Sequence, residues 1–319
     1  MWQYITRRLV FTIPVLLFVT LAIFLMVNVL PGDIAFSLLV GQGGEGSVSA
    51  ESLAALRHRL GTDRPLAEQY LSWVAGVLRL DPGTSLQTGR PITQEIGQRI
   101  VVTIELALLT VVISWIIAIP VGVLSALRQD TWADYVLRVA SITGMAMPTF
   151  WTGILVLLAL VVFFRWFPPL GFALPWHEPW ENLQQIVWPA LALGFFLSAV
   201  TVRMTRSCLL EVLRQDYIRT ARSKGLRDRV VMSRHALRNA MLPVVTITGV
   251  QLGHLLGGTV VMETVFNLPG LGTRLVEGIL VRDYPVVQSL VLIMACWFAV
   301  INLLVDIAYA WLDPRVRYS

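Results

Sequence analysis

The chain has 319 residues, of which 56% are hydrophobic and only 14% are charged, whereas a soluble domain is usually about 25% charged. Its net charge is +5, and the placement of the charges indicates membrane topology rather than nucleic-acid binding. Stretches of about 18 or more apolar residues predict membrane-spanning helices. Six such stretches exclude a soluble globular protein and predict an all-α integral membrane protein with six transmembrane helices.

In chain order, the predicted spans are residues 9–30, 100–127, 139–164, 186–202, 241–262 and 286–305. A Pro-Gly-Asp sequence at 31–33 ends the first span, and Pro148 interrupts the third. Residues 31–98 form a polar excursion in which apolar spacing predicts two short amphipathic helices, 50–60 and 65–79. Ser49 is the predicted N-cap of the first of these and Gly61 its stop. Another short helix is predicted over 273–281.

The distribution of arginine predicts the orientation, because short cytoplasmic loops carry an excess of Lys and Arg. With the N-terminus inside, the cytoplasmic side receives Arg7, Arg8, Arg128, Arg138, the basic cluster within 203–238, Arg315 and Arg317. Both termini are therefore predicted to be cytoplasmic. The resulting segments are a first helix (1–30), an extracytoplasmic excursion (31–98), a five-helix domain (99–311) and a cytoplasmic tail (312–319).

The chain shows no device for using energy or performing chemistry. A phosphate loop needs a Gly-Lys pair, and the only lysine, Lys224, follows Ser223. The four histidines are scattered without metal-ligand spacing, and no Ser-His or paired-carboxylate arrangement is present. The sequence therefore predicts no catalytic residue, no metal site and no bound cofactor in this chain.

The fifth span carries a stripe of small residues, because Gly249, Gly253 and Gly257 recur every four positions. Such a stripe lets another helix approach closely. Gln251 and His254 flank it, and His254 is the only titratable group near the middle of a span. Two interpretations remain open: close helix packing, or a helix that lines a central path for cargo.

A basic insert separates the fourth and fifth spans, with ten Lys or Arg against three acids between 203 and 238. Asp216 is the predicted N-cap of a helix over 217–224, which Gly225 ends in the left-handed conformation. A second predicted helix has apolar Leu226, Val230, Leu237 and Met241 on one face and Arg227, Arg234 and Arg238 on another. The insert fits either a loop lying on anionic headgroups or a short helix docked in a groove of a soluble partner.

At this insert the chain resembles the membrane permeases of ATP-binding-cassette importers. Their motif is E-A-A, three residues, Gly, nine residues, then I-x-L-P. The aligned positions are 219–221, 225 and 235–238, where Ala221, Gly225 and Leu237 match. The sequence departs from the motif at Arg219, Thr220, His235 and Arg238, and Arg219 stands where the motif has Glu.

The resemblance to the dipeptide, oligopeptide and nickel subfamily is closer and runs nearly end to end. The sequences of that subfamily are similar to this chain in seven blocks. These blocks are DYIRTARSKGL at 216–226, RHALRNAMLPVVT at 234–246, LPGD at 30–33, LGTDRPLAEQYLSW at 60–73, GTSLQTGRP at 83–91, METVFNLPGLGTRLVEGILVRDYPVVQ at 262–288 and DPRVR at 313–317. Several blocks in the same order make the resemblance specific.

The resemblance implies the type I importer permease fold in the cytoplasmic (inner) membrane of a bacterium or archaeon. It implies four kinds of partner: a second homologous permease, two cytoplasmic ATPases that bind ATP and Mg²⁺, an extracytoplasmic solute-binding protein, and membrane lipid, with no nucleic acid. It also implies that segment 207–240 holds a coupling helix seated in a groove of the ATPase. By position, the coupling residues are Tyr217, Arg219, Thr220, Ala221, Lys224 and Gly225.

The resulting prediction is an importer subunit that forms half of the path for peptides or a related small solute and performs no chemistry. Peptides, nickel chelates, opines, glutathione and oligosaccharides all remain open as cargo. The main alternative is a self-sufficient secondary carrier or channel whose cytoplasmic loop only binds lipid. A third hypothesis, a membrane-bound enzyme, has no recognisable site.

Overall fold

The computed structural model describes residues 2–29, 35, 36, 39, 49–169 and 171–312. In these ranges the regular secondary structure is helical, and the only strand-like feature is an isolated bridge between Thr84 and Pro91. The predicted stop at 31–33 and most of the predicted tail, 313–319, lie outside the described residues. The all-helical class predicted from composition is confirmed for the described part of the chain.

Twelve α-helices and one π-helical segment make up the described chain. They are α1 (Trp2–Val29), α2 (Ala50–Leu60), α3 (Leu66–Leu78), α4 (Ile92–Leu127), α5 (Trp132–Ala146), α6 (Thr149–Phe164), α7 (Pro179–Leu213), α8 (Asp216–Ser223), α9 (Asp228–Val230), the π segment (Val231–Leu237), α10 (Arg238–Val265), α11 (Leu271–Leu280) and α12 (Tyr284–Leu312).

Four of these helices are long and apolar enough to cross a membrane, and the number rises to six if each of two bent pairs forms one span. The four are α1, α4, α7 and α12. One bent pair is α5 with α6. The other joins residues 228–255, which include α9, the π segment and most of α10, to residues 259–265 at the end of α10. Helices α4 and α7 contain 36 and 35 residues. At about 1.5 Å per residue they exceed a hydrocarbon core of roughly 30 Å, so their ends extend beyond it.

The predicted third span, 139–164, is not one straight helix. It breaks at Met147 and Pro148, and the axes of α5 and α6 differ by 103°. Met147 has ψ 125° and Pro148 ψ 138°, both extended. The proline ring disfavours the helical conformation of the residue before it, which accounts for the position of the break. Helix α5 also begins seven residues earlier than predicted, at Trp132.

The contacts divide the chain into two compact units. Unit 1 comprises residues 1–5, 102–273 and 298–319, and unit 2 comprises residues 6–101 and 274–297. The core of unit 1 joins α4, α6, α7 and α10 through Leu106, Leu160, Ile186, Leu193 and Met262, all of them buried. Because hydrophobicity does not drive helices together within lipid, close packing has to do so.

Two glycines allow this close packing of α4 against α7. A Cβ built on Gly194 would lie 2.8 Å from Cγ2 of Ile113, and one on Gly122 would lie 2.7 Å from Cβ of Thr205. Neither position has room for a side chain, so the two helix backbones approach more closely than any other residue would permit. The pairing of α4 with α7 therefore depends on a glycine at each of these two contacts.

In unit 2, the two predicted amphipathic helices are present as α2 and α3. Ser49 caps α2 by accepting a hydrogen bond from Ser52 N at 3.1 Å, and Gly61 ends it with φ 70°. Both features were predicted and are confirmed. Helix α3 contacts α1 through Tyr70, whose hydroxyl lies 2.9 Å from Oγ1 of Thr20 and whose ring packs edge-on against Phe24.

A buried ionic network connects the 81–91 loop with the helices α11 and α12. Arg274 Nε donates to Glu95 at 2.7 Å, and Arg274 Nη2 donates to Asp283 at 3.1 Å. Asp283 also accepts hydrogen bonds from the hydroxyl of Ser85 and from Leu86 N. Burial disfavours the charged form of Arg274, but the hydrogen bonds and charges of Glu95 and Asp283 outweigh it and raise the pKa of the guanidinium. The arginine therefore stays protonated.

A cavity of about 640 Å³ lies among α1, α2, α3 and the start of α12. Its lining carries both signs of charge, with Arg59, Arg64 and Arg79 against Glu68 and Asp81. All of these residues belong to unit 2. The segment that the sequence predicts to be extracytoplasmic therefore lines a charged recess together with α1 and α12.

Candidate functional site

The basic insert begins where α7 ends. Arg214 closes α7, and Gln215 is extended with ψ 147°, so the chain turns there and starts α8 at Asp216. The predicted N-cap role of Asp216 is wrong: Gln215 occupies the N-cap position, and no side chain caps the helix. Asp216 lies instead in the first turn, where its negative charge still complements the helix dipole.

Helix α8 packs against the rest of unit 1 through one apolar edge. Ile218 is completely buried and Ala221 nearly so, and every other residue from 214 to 230 is exposed. The buried pair packs in a cluster with Leu209 of α7 and with Val231, Ala236 and Ala240. Residues three apart share one side of a helix, so this edge fixes which side of α8 faces outward.

The π segment determines which residues pack on that edge. The apolar face predicted for the second helix is wrong in this region. Leu226 and Val230, expected on the apolar face, are exposed. In an α-helix residues five apart lie about 140° apart around the axis. The π segment pairs residues five apart, so Val231 and Ala236 reach the same side and are buried there. The expected face assumed an α-helical period that the chain does not keep.

The outward side of α8, together with the turn that follows it, carries five of the six predicted coupling residues, Tyr217, Arg219, Thr220, Lys224 and Gly225, all exposed. Arg219 lies 3.5 Å from Asp216, and both side chains are largely in solvent. Exposed pairs of this kind contribute about 0–1 kcal/mol, so Arg219 is held only loosely. Ala221, predicted as a coupling residue, faces inward and anchors the helix.

Gly225 ends the helix in the left-handed conformation, with φ 78°. A Cβ at this position would meet nothing within 4 Å. The requirement for glycine is therefore purely conformational, at about 1–2 kcal/mol for any other residue. Gly225 N donates to Arg222 O at 2.9 Å, and Leu226 N to Ala221 O at 3.4 Å, which directs the chain back toward the π segment.

A polar contact joins α8 to α10. Asn239 Nδ2 lies 2.9 Å from the hydroxyl of Tyr217 and 3.0 Å from His235 O. Tyr217 is 42% exposed, and Asn239 is exposed as well. Sequence reasoning named Tyr217 but missed Asn239, because no local pattern links residues 22 positions apart.

The glycine stripe of the fifth span packs against α12 within unit 1. A Cβ on Gly249 would overlap the side chain of Val305, and one on Gly253 would lie 2.9 Å from the ring of Phe298. Gly257 lies within α10, but its surroundings are outside the described part of the structure. At the two described positions, the stripe serves close helix packing.

The two polar residues beside the stripe point in different directions. Gln251 Oε1 accepts a hydrogen bond from Thr201 Oγ1 of α7 at 3.3 Å. His254 is exposed, and its ring packs edge-on against Phe298 with centroids 5.9 Å apart. Gln251 therefore connects two helices, whereas His254 lies on the surface of this chain.

Sequence reasoning also missed Glu263, a fully buried carboxylate at the end of α10. Its Oε1 accepts from Thr103 Oγ1 at 2.7 Å and its Oε2 from Thr273 N at 3.0 Å. A carboxylate at backbone N–H groups of a helix N-terminus is favoured by the helix dipole. Glu263 thus joins α10 and α4 to the start of α11, and the METVF block in which it lies gave no indication of that contact.

Comparisons with known proteins agree over the whole chain. The family model described as "Binding-protein-dependent transport system inner membrane component" matches residues 118–318. The model of the corresponding N-terminal region matches residues 1–107. The chain belongs to this family. Membership confirms the resemblance inferred from the motifs and makes the chain a non-catalytic membrane component of a transport system.

Individual relatives cover the full length. The dipeptide transport system permease protein DppB of Alkalihalophilus pseudofirmus is 37% identical over 338 residues, and the glutathione transport system permease protein GsiC of Salmonella choleraesuis is 39% identical over 319 residues. A Brucella abortus chain with a provisional peptide-permease name is 42% identical over 319 residues. Each match spans 100% of both chains.

Proposed function

We propose that this chain is a six-span permease subunit of an ATP-driven importer, with both termini on the cytoplasmic side of a bacterial or archaeal inner membrane. Family membership supports the importer. Counting each bent helix pair as one span supports six crossings. The arginine excess in the predicted inner loops supports the orientation. The proposed segments remain 1–30, 31–98, 99–311 and 312–319.

The observation that carries the mechanism is the shape of α8. A helix anchored by Ile218 and Ala221 and exposed on all other sides suits a groove on a soluble protein. We propose that it is the coupling helix and contacts the cytoplasmic ATPase through Tyr217, Arg219, Thr220, Lys224 and the turn at Gly225. Ala221 takes part as the anchor.

The proposed cycle follows from that contact. The binding protein docks on the outer face, near 31–98 and 263–285. ATP and Mg²⁺, bound by the two ATPase subunits, close the ATPase dimer and displace α8. Because α8 packs on α7, the π segment and the start of α10, its displacement reorients the helices that contain them. Hydrolysis returns the inward-facing state.

The proposed cargo is a peptide or a related small solute, since the named relatives are dipeptide and glutathione permeases. The path lies between this chain and a second homologous permease. His254, exposed on α10 beside the glycine stripe, is the residue that we propose contacts the path or the second permease. Gln251, Gly249 and Gly253 act by holding α10 against its neighbours.

Gly225→Ala in the assembled transporter tests the coupling assignment. Gly171→Ala is the matched control, because Gly171 also has positive φ, 85°, with nothing within 4 Å of a Cβ, and lies in a loop at the other end of α7. Both substitutions have a similar local cost of about 1–2 kcal/mol. We expect Gly225→Ala to reduce ATP-dependent uptake and the coupling of ATP hydrolysis to transport several-fold, and Gly171→Ala to leave both near wild type.

Equal effects of the two substitutions would contradict the coupling assignment. Uptake by this chain alone in vesicles that contain no ATPase would favour the secondary carrier instead. Both measurements use the purified complex reconstituted in liposomes, with labelled solute and phosphate release followed together.

A further inference from the structure

The amide of Asn239 has only one chemically reasonable orientation. It faces two oxygen atoms, Tyr217 Oη at 2.9 Å and the backbone oxygen of His235 at 3.0 Å. A backbone carbonyl can only accept a hydrogen bond, and the NH₂ group of asparagine can only donate. Turning the amide over would place its oxygen against the His235 carbonyl. The NH₂ group must therefore face both oxygens and donate one hydrogen to each.

This orientation decides how the Tyr217 hydroxyl is used. A phenol can donate one hydrogen bond and also accept. Because Asn239 supplies the donor, the tyrosine oxygen accepts, and its own hydrogen is directed elsewhere. Asn239 is the one partner of this hydroxyl among the residues that the structure describes. Tyr217 is 42% exposed, so the O–H group can reach an acceptor outside this chain.

The surroundings of the hydroxyl favour an acceptor that carries negative charge. Helix α8 and the turn after it expose Arg219, Arg222 and Lys224. Their acidic neighbours, Asp216 and Asp228, pair with Arg219 and Arg222 at 3.5 and 3.3 Å in solvent, where such pairing is weak. A protein surface that presents carboxylate or carbonyl oxygens is complementary to this combination of one donor and several cations.

We propose that Tyr217 donates its hydroxyl hydrogen to a carboxylate or carbonyl oxygen in the groove of the cytoplasmic ATPase, and that Asn239 is the positioning residue that sets this direction. The inference rests on the proposed function, since it requires α8 to dock on an ATPase. Helix α8 is fixed by its buried edge. A donor that is held in one direction suits an acceptor that is itself fixed in position, as an oxygen atom in a protein groove is. A mobile lipid headgroup would adapt to either direction, so the lipid is the outcome against which the proposal is tested.

Asn239→Asp tests whether the direction of the Tyr217 hydroxyl hydrogen matters, or only the presence of a hydrogen bond between residues 217 and 239. An aspartate keeps the size of the side chain, and its carboxylate can only accept a hydrogen bond. It therefore turns away from the carbonyl of His235 and accepts the hydrogen of the Tyr217 hydroxyl, which is then lost to the partner. Asn239→Ala removes the contact, so the Tyr217 hydroxyl hydrogen is free to rotate in either direction. Tyr217→Phe removes the hydroxyl. Ser223→Ala is the matched control, because Ser223 is exposed on the same helix and, among the described residues, its hydroxyl bonds only Thr220 O.

The measurement is the apparent affinity of the purified ATPase subunits for the permease pair in nanodiscs of neutral lipid, together with solute transported per ATP hydrolysed in the assembled complex. We expect about tenfold weaker ATPase binding for Asn239→Asp and Tyr217→Phe, in line with loss of one hydrogen bond to a charged group. Asn239→Ala should lose about two- to threefold, and Ser223→Ala should bind as wild type does. Tyr217→Phe combined with Asn239→Asp should be no weaker than Tyr217→Phe alone.

Three results would overturn the proposal. If Asn239→Asp bound the ATPase with wild-type affinity, the direction of the Tyr217 hydroxyl hydrogen would be irrelevant. If Asn239→Ala bound the ATPase more weakly than Asn239→Asp, the role of Asn239 would be only to connect α10 to α8. A loss seen only in nanodiscs with anionic lipid would make the acceptor a headgroup. Failure of the wild-type pair to bind any ATPase is a different result, because it would refute the proposed function itself.

Discussion

The carboxylate of Asp134 accepts two hydrogen bonds from the guanidinium of Arg206, from Nε at 2.8 Å and from Nη2 at 2.7 Å. Asp134 is fully buried and also accepts from Ser125 Oγ and from Asp130 N at 3.1 Å. This pair ties the start of α5 and the end of α4 to α7, two turns before the end of that helix. The end of α7 leads directly into α8, so the network holds the end of the helix from which α8 projects.

Asp134→Asn should destabilise unit 1 by about 3 kcal/mol, because Arg206 would lose its counter-charge in a largely buried position. Asp216→Asn is the matched control, since Asp216 pairs with Arg219 in solvent and should cost about 0–1 kcal/mol. Thermal unfolding of the purified permease in nanodiscs measures both. Comparable melting temperatures of the two variants would contradict a structural role for the Asp134–Arg206 pair.

Gly249→Ala should destabilise the packing of α10 on α12 by about 1–3 kcal/mol, the usual cost of overpacking, because the new methyl group overlaps Val305. Val305→Ala in the same chain should restore much of the loss. Gly253→Ala should cost less, since its neighbour is the ring of Phe298, which is 41% exposed and can move. The melting temperatures of the three variants give the ranking, and a milder effect at Gly249 than at Gly253 would refute it.

Arg274→Met should destabilise unit 2 by about 3–5 kcal/mol, because it leaves the carboxylates of Glu95 and Asp283 buried without their cation. Arg99 provides the control: it lies 3.7 Å from Glu277 with both side chains partly exposed, and Arg99→Met should cost about 0–1 kcal/mol. Hydrogen exchange of the 81–91 loop reports the loss locally. Unchanged protection of that loop in Arg274→Met would argue against the network as its anchor.

Two single cysteines test the proposed orientation. Ser223 and Gln87 are both exposed, and they lie in segments assigned to opposite sides of the membrane. In a background without Cys208 and Cys296, we expect Ser223→Cys to react with an impermeant maleimide only in inside-out vesicles. Gln87→Cys should react only in right-side-out cells. Labelling of both from the same side would reject the assignment of six spans with cytoplasmic termini.

Much of the local structure could be predicted from the sequence because it depends on neighbouring residues. Helix α2 has its predicted bounds, with Ser49 as N-cap and Gly61 as stop, since capping involves atoms within four positions. The left-handed Gly225 was predicted for the same reason. The break at Pro148 follows from the covalent structure of proline, although its 103° angle does not. Family membership followed from several sequence blocks in order.

What only the tertiary structure decided concerns residues far apart in the chain. The Asp134–Arg206 pair, the Glu263 contact with Thr103 and the Tyr217–Asn239 link join residues 72, 160 and 22 positions apart, and no local periodicity connects them. The inner face of the basic insert was mispredicted because the π segment changes the helical period, and that change is compatible with the packing of Val231 and Ala236 on α8. Local rules determine where a helix begins and ends, whereas packing selects the period and the side that it buries.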